Sequence, residues 1–393
     1  AEPPANYRKT VLEYMLPVSL LSQPSRIIAR NIERKPVKSL FSVIGIALGC
    51  AIMITGGFFQ DAFDYMVDIQ FKRSQKEDMT VTFIEPTSRK AVYELMGMRG
   101  VEYAEVFRSV PVRMRYRNRS YRTSIQALER GSRLHLLLDM DLKPIVIPSA
   151  GIVMSDYLGK ILDVKPGDVL TIEVLEGSRP VRQVQVAGLV RQYIGVMGYM
   201  DLTALNRLMR EGSAVSGAYL STDALYQKEI YRELVGMPRV VGTEVRKDEI
   251  RNFYETQAKS MLFFTFVATL LAGVIAFGVV YNSARINLAE RSRELASLRV
   301  LGYTRGEISY ILLGELGLLI LAAIPFGFLI GWGLSFYIAR ALESDLFRIP
   351  LVIAQETYAL AAAVVLVSAS ISALIVRHKL DHLDLVSVLK AKE

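Results

Sequence analysis

From Ser39 to Phe59 the chain carries 21 consecutive uncharged residues. At 1.5 Å per residue, a helix of that length crosses a hydrocarbon core about 30 Å thick. Lipid offers backbone amides no partner, so a helix is the form such a run must take there. Three further runs follow: Met261–Tyr281, Ile311–Ile338 (interrupted by Glu315 and Pro325) and Tyr358–Val376. Arg34, Lys35 and Lys38 precede the first run, and Asp61 and Asp64 follow it. Arg285, Arg291, Arg293, Arg299 and Arg305 lie between the second and third, and Arg377, His378 and Lys379 follow the fourth. With four spans all three basic clusters fall on one side, which the positive-inside rule makes cytoplasmic. One span more or fewer would place them on opposite sides.

Composition agrees with a few spans joined to a sizeable aqueous domain: 51% of the residues are hydrophobic, 22% are charged and the mean hydropathy is +0.29. The net charge of +8 comes largely from residues flanking apolar runs. Orientation in a membrane therefore accounts for it better than nucleic acid does. Cys50 is the only cysteine, so no disulfide forms within the chain. The opening AEPPANYRK lacks a signal-peptide apolar region, which leads us to expect a processed chain or the downstream part of a longer one.

The expected fold is an α-helical membrane protein with four transmembrane helices and a large mixed α/β extracytoplasmic domain inserted between helices 1 and 2. Residues 1–38 are a cytoplasmic lead segment in which Arg26, Arg30 and Arg34 line one face of an amphipathic interfacial helix. The spans are 39–60, 259–284, 310–338 and 358–376; the external domain is 61–258 and a short external loop is 339–357. A cytoplasmic region 285–309 separates spans two and three, and 377–393 is a cytoplasmic tail. Within the external domain, Met79–Ile84, two runs in Val110–Leu128 around Asn118, Val169–Val174, Val181–Val190, Ala218–Ser221 and Val240–Val245 read as strands. Gly151–Ser155 is a short apolar run, and Asp156–Leu162, Asp201–Arg210 and Thr222–Leu234 read as helices. The pattern is an α/β unit split by a β-rich subdomain. Lys247 to about Arg299 reads as one nearly continuous helix.

Glu290–Ile308 forms a charged knuckle between spans two and three. Leu295, Leu298 and Leu301 recur at three-residue steps beside Ala296, giving one apolar face. Gly302 stands where a helix ends on a left-handed residue, and Thr304-Arg305-Gly306-Glu307 reads as the capping box of a new helix.

Other candidate sites are sparse. There is no Walker A motif, and the glycines of Gly314–Gly333 have no following Lys-Ser/Thr pair. Gly45 and Gly49, and Gly327 and Gly331, have GxxxG spacing, which suits either packing within the chain or a dimer seam. Glu315 lies inside an apolar run about two turns from its start, favouring an intramembrane hydrogen bond or ion pair over ion transport. His135, His378 and His382 lack partners at metal spacing, and neither a Ser-His-Asp arrangement nor a nucleophile elbow is present, so neither a metal site nor a catalytic site is expected. Arg113, Arg115, Arg117 and Arg119 alternate along a strand, a pattern read as a solvated face protecting a sheet edge in preference to a site for anionic lipid or an acidic partner.

One span, a large external domain and three more spans resemble the FtsX/MacB-type permeases of ABC transporters, the mechanotransmission class that includes lipoprotein-releasing permeases. The resemblance rests on Arg30-Asn31-Ile32 with Pro36, on the segment Glu294–Gly302, and on Leu383–Leu389 (LDLVSVL). It implies that Arg293, Glu294, Leu295, Leu298, Arg299, Leu301 and Gly302 form a coupling helix seated in a cleft of a cytoplasmic ATPase dimer. That ATPase would bind ATP and Mg; this chain would hold no cofactor and would not itself be an enzyme. The implied partners also include a second permease copy or a paralogous permease half, a periplasmic adaptor or membrane-fusion protein, and membrane lipids. The implied location is the bacterial cytoplasmic (inner) membrane, multi-pass, with both termini cytoplasmic. The implied function is export or extraction of a lipophilic substrate or lipoprotein by movements of the external domain. The alternative is an ATP-driven regulator or sensor controlling an extracytoplasmic partner such as a cell-wall hydrolase, with a membrane-bound enzyme disfavoured by the missing catalytic constellation.

Overall fold

The computed structural model describes residues 28, 32, 36–139, 141–344 and 348–381. In chain order, helix α1 (Pro36–Val67) continues as a π-helical turn (Asp68–Ser74), and is followed by β1 (Met79–Ser88), α2 (Ala91–Met96), β2 (Val101–Tyr116) and β3 (Arg119–Leu128). Next come the short pair β4 (Leu137–Leu138) and β5 (Pro144–Ile145), then β6 (Ile152–Ser155), α3 (Asp156–Leu162), β7 (Val169–Val174), β8 (Val181–Val190) and β9 (Met197–Asp201). The chain continues through α4 (Leu202–Met209), β10 (Ala214–Thr222), α5 (Gln227–Val235), β11 (Val240–Val245), α6 (Arg246–Val300), α7 (Arg305–Ala341) and α8 (Gln355–Asp381). Among the described residues, four helical stretches are long and apolar enough to cross a membrane: Pro36–Ser74, Phe263–Glu290, Gly306–Ala341 and Gln355–His378. Two units result. One takes the described parts of Ala1–Asp61, Ser260–Ile338 and Leu351–Glu393; the other takes Ala62–Lys259 and Ala339–Pro350.

The helical unit is built around α1, which opens on Pro36, a residue that loses no hydrogen bond in a first turn. Its glycines bring α6 close: a Cβ on Gly45 would lie 3.0 Å from Val279, and one on Gly49 would lie 3.3 Å from the Ala272 carbonyl. On another side α7 closes in through its own glycines. A Cβ on Gly327 would lie 2.6 Å from that of Cys50, and one on Gly331 would lie 2.9 Å from that of Ile54. All four GxxxG glycines therefore serve contacts within the chain. Ile46, Ala47, Cys50, Met53 and Ile54 form the centre of this core with Ala272, Ala276, Val280 and Ala323. Pro325 sits inside α7, which runs through it without ending.

The inserted unit combines two arrangements on one long strand. The first half of β2 belongs to a four-stranded antiparallel sheet, β11-β1-β10-β2. β1-α2-β2 and β10-α5-β11 are its two crossovers, a split βαβ pattern. Met79, Val81, Val106, Ala218 and Leu220 bury one face of this sheet against Leu95 of α2 and Ile230 and Leu234 of α5. The second half of β2 pairs with both β3 and β7, so β2-β3-β9-β6-β8-β7 closes on itself as a six-stranded barrel. Val110, Val112, Met114, Ile125, Ile152, Leu170 and Ile172 fill it. The β-rich insertion is therefore fused to the α/β unit through β2 and is not a separate subdomain.

Several sequence expectations change here. The helix of span one does not stop near Phe59; Ala62, Met66, Val67 and Ile69 remain buried and carry it to Ser74. Thr222 ends a strand, and the helix expected from it starts at Gln227. The arginine stripe does not guard an edge, because β2 is paired on both sides. Instead Arg113 and Arg115 lie 3.3 and 2.8 Å from the Glu173 carboxylate across the β2–β7 pair. The Arg115 hydrogen bond, with the charge of Arg113 behind it, holds that carboxyl below its usual range. Arg117 sits in the β2–β3 turn over the Tyr116 ring, and Arg119 donates to the Ile161 carbonyl. The lead segment lies outside the described residues except for Ile28, Ile32 and residues 36–38, which open α1; Ile28 is buried against Gly314 of α7.

The connector between α7 and α8 is more than a surface loop. Residues 339–350 belong to the inserted unit. Arg348 anchors them, donating through its side chain to the Gln192 and Gly195 carbonyls and through its backbone to that of Tyr193.

Arg108 marks the changeover along β2. Ala104 to Arg108 are buried in succession, so no alternation survives there. Arg108 is only 1% exposed, and its guanidinium meets Glu176 after β7, Glu211 after α4 and Ser216 of β10. It thus links the barrel to the four-stranded sheet. Replacing it with Met (R108M) leaves both carboxylates without their partner, and about 2 kcal/mol of stability should be lost, their partial exposure softening the cost. Thermal unfolding of the purified protein reads this as a midpoint lowered by several degrees; an unchanged midpoint would show that the arginine is not a structural link.

Candidate functional site

The knuckle between spans two and three is the end of α6, the turn after it and the start of α7. α6 runs without a break to Val300, so the first helix of the knuckle continues the span-two helix and is not a separate one. The Leu301 amide still reaches back to the Ser297 carbonyl at 3.0 Å. Gly302 then takes φ +95°, the left-handed conformation that stops the helix at little cost to glycine. Thr304 and Glu307 cap α7 reciprocally. The Glu307 amide donates to Thr304 Oγ1 at 3.2 Å, and the Glu307 carboxylate accepts from the Thr304 amide at 2.8 Å and from its hydroxyl at 2.9 Å. Leu301 is 76% exposed at the tip, and among the described residues nothing lies within 4 Å of where a Cβ on Gly302 would stand. Arg293, Glu294, Leu295, Leu298 and Arg299 lie within α6, their side chains outside the described residues. Behind the tip, Ile308, Leu312 and Leu316 of α7 pack with Ala284 of α6 and Val376 of α8.

A chain of polar contacts ties this region to α1. Lys38 Nζ donates to Asn287 Oδ1 at 2.6 Å and lies 3.2 Å from Glu290. Asn287 Nδ2 donates to Glu315 Oε1 on α7 at 3.3 Å. One turn further along α1, the Ser42 and Ser283 hydroxyls are 2.9 Å apart. Ser283, Asn287 and Glu290 recur at i, i+4 and i+7, so α6 presents them as one stripe. Asn287 and Glu315 are buried at 3% and 4% exposure, where their hydrogen bonds offset the cost of removing polar groups from water. Glu315 is thus a polar contact between helices. Asn287 is not legible in the sequence as a functional residue, and Lys38 reads only as a flanking charge; the signal that points to them is the polar stripe on one face of α6.

At the opposite end of α1, Asp61 caps α8. Its carboxylate accepts from the Ala354 amide at 2.8 Å and from the Thr357 hydroxyl at 2.6 Å. In the sequence Asp61 reads only as a flanking charge.

Among the described residues no group of three His, Cys, Asp or Glu side chains is placed to hold a metal ion. His135 lies in the inserted unit, 3.0 Å from Glu77, and His382 lies outside the described residues.

Residues 266–382 match the family described as FtsX-like permease C-terminal. That stretch holds most of α6, the knuckle, α7 and α8, so the resemblance carried by Glu294–Gly302 is borne out. No curated protein matches the chain significantly. Among solved structures, the extracellular domain of the noncanonical ABC-type transporter YknZ from Gram-positive bacteria aligns over 42% of this chain and 98% of its own, at 14% identity and a TM-score of 0.29. The periplasmic region of MacB from Actinobacillus actinomycetemcomitans aligns over 48% of this chain and 95% of its own, at 12% identity and a TM-score of 0.33.

The polar chain yields a graded expectation. Glu315→Leu removes the acceptor for Asn287 and should cost about 1 kcal/mol, the usual range for a hydrogen bond between membrane helices. Glu315→Gln keeps an acceptor and should cost less. Thermal unfolding in detergent distinguishes them; equal midpoints for the two variants would mean that the hydrogen bond contributes nothing.

Proposed function

We propose that this chain, with its FtsX-like permease C-terminal region, is the membrane subunit of an ABC transporter driven by a separate cytoplasmic ATPase dimer. The match over residues 266–382 carries this reading. Residues 1–393 hold no Walker A sequence, so in this reading ATP-derived force reaches them from an ATPase outside these residues. ATP and Mg belong to that partner.

The knuckle is the docking point. Arg293, Glu294, Leu295, Leu298 and Arg299 form its charged and apolar shoulders, and Leu301 with Gly302 forms its tip. When the ATPase dimer closes, the knuckle shifts, and α6 moves with it as one helix from Arg246 to Val300. Lys38, Asn287 and Glu315 pass the displacement to α1 and α7. In this reading the knuckle and both termini face the cytoplasm, as the basic flanks require, and the inserted unit lies on the far side of the bacterial inner membrane. Its movement exports or extracts a lipophilic substrate or a lipoprotein without passing it between the spans. A second permease copy or a paralogous half completes the assembly, and a periplasmic adaptor or membrane-fusion protein receives the cargo.

Charge reversal tests the docking point. The double variant R293E/R299E should insert and unfold like the wild type, yet lose at least about tenfold of the coupling between ATP hydrolysis and transport in nanodiscs carrying permease and ATPase, the scale of two lost charge contacts. Unchanged coupling would overturn the docking assignment.

A further inference from the structure

The inserted unit contains a cavity of about 500 Å³, within the size range of small-molecule sites. Its floor is the sheet face opposite α2 and α5, where Glu244 of β11, Thr80 of β1 and Tyr219 of β10 stand side by side. Glu249 and Arg246 reach it from the first turns of α6, and the Gln192–Gly195 loop closes another side.

The charges lining this cavity do not balance. Glu77, Asp78, Glu244 and Glu249 face only Arg246 and His135. Arg246 is already committed, donating to Asp78 at 3.0 Å and to the Phe71 and Gln75 carbonyls at 3.2 Å. His135 Nδ1 lies 3.0 Å from Glu77 Oε1, and its ring stacks on Tyr219. Glu77 is 4% exposed, and its second oxygen, Oε2, has no hydrogen-bond partner. Gln192 Oε1, on the loop, is also buried without one. Both orphan atoms are acceptors, so what the cavity lacks is a donor. Burial, together with repulsion from Glu244 and Glu77 and a hydrogen bond shared with Glu244, pushes the Glu249 carboxyl up to about 7. A proton there relieves crowding that a bound cation would relieve more fully.

A metal ion fits poorly, because no three ligating side chains converge among the described residues. An ammonium group suits dispersed acceptors better, since it donates three hydrogen bonds and needs no tight oxygen cage. Phe107 and Met197 add apolar wall beside the carboxylates. Water can satisfy an orphan acceptor, but it does not balance the charge.

We propose that this cavity binds a small organic amine, its ammonium donating to Glu77 and to the Glu244–Glu249 pair while its apolar body lies against Phe107 and Met197. The site is built on the first turns of α6, the helix that continues into span two, and on the Gln192–Gly195 loop, whose carbonyls Arg348 of the α7–α8 connector holds. This inference does not depend on the identity of the ATPase or of any cargo.

Tryptamine is a suitable probe, with indole-3-acetate as its anionic counterpart and calcium chloride as a cation without an amine. Calorimetric titration of the full-length protein in nanodiscs should show saturable tryptamine binding and none for the other two. Glu77→Gln and Glu249→Gln should each weaken it at least about tenfold, the scale of one charged hydrogen bond. Glu173→Gln, on the barrel, should bind like the wild type. If E77Q does not fold, E249Q carries the comparison, because its amide resembles the protonated carboxyl already present near neutral pH. The proposal is overturned by absence of tryptamine saturation up to about 10 mM, by equal binding of indole-3-acetate, by calcium binding in place of tryptamine, or by affinity unchanged in E249Q.

Discussion

The close approach of α1 to its neighbours is the contact on which the helical unit depends. Lipid supplies no hydrophobic force to hold helices together, so packing and polar contacts must do it. Gly45 and Gly49 let α6 settle against one side of α1, and Gly327 and Gly331 let α7 settle against Ala47, Cys50 and Ile54 on another. Gly57 admits Thr357 of α8 in the same way, where a Cβ would lie 2.6 Å from the threonine methyl. One helix therefore touches the other three. The single cysteine is explained by this packing: a small side chain is needed opposite Gly327.

Polar contacts are placed at the two ends of this packed core. At the knuckle end, Lys38, Asn287 and Glu315 join α1, α6 and α7. At the other end, the Asp61 carboxylate satisfies donors at the start of α8, where a negative charge also suits the helix dipole. Between them the contacts are apolar and close. Such an arrangement transmits displacement well, because tightly packed interfaces shift as units and do not deform gradually. The same logic extends into the inserted unit, where Arg108 joins barrel to sheet and Arg348 pins the α7–α8 connector.

Much of this was legible in the sequence. β7 and β8 alternate cleanly between turns marked by Gly167 and Gly177, both at positive φ, and they fall where the pattern placed them. The capping box and Gly302 were also local signals and correspond to local geometry. What escaped was set by distant partners. β9 is five residues, four of them buried, with no alternation, and it exists because β3 and β6 accept it. Arg108 looks like an ordinary outward strand residue until β2 is seen to pass from one sheet to another. The acidic residues after Phe59 suggested the end of a helix, yet charge marks where lipid ends, and α1 continues because its apolar stripe finds a core outside the lipid-length run. The cavity residues Glu77, Glu244 and Glu249 are scattered along the chain, and only the fold brings them together.

The central claim is that the knuckle is where an ATPase partner docks, and proximity tests it directly. A single cysteine placed at exposed Leu301, in a chain whose Cys50 is replaced by Ala, should cross-link to the ATPase that copurifies with the permease. A cysteine at exposed Val241 in the inserted unit should not. Cross-linking from position 241, with none from 301, would contradict the account.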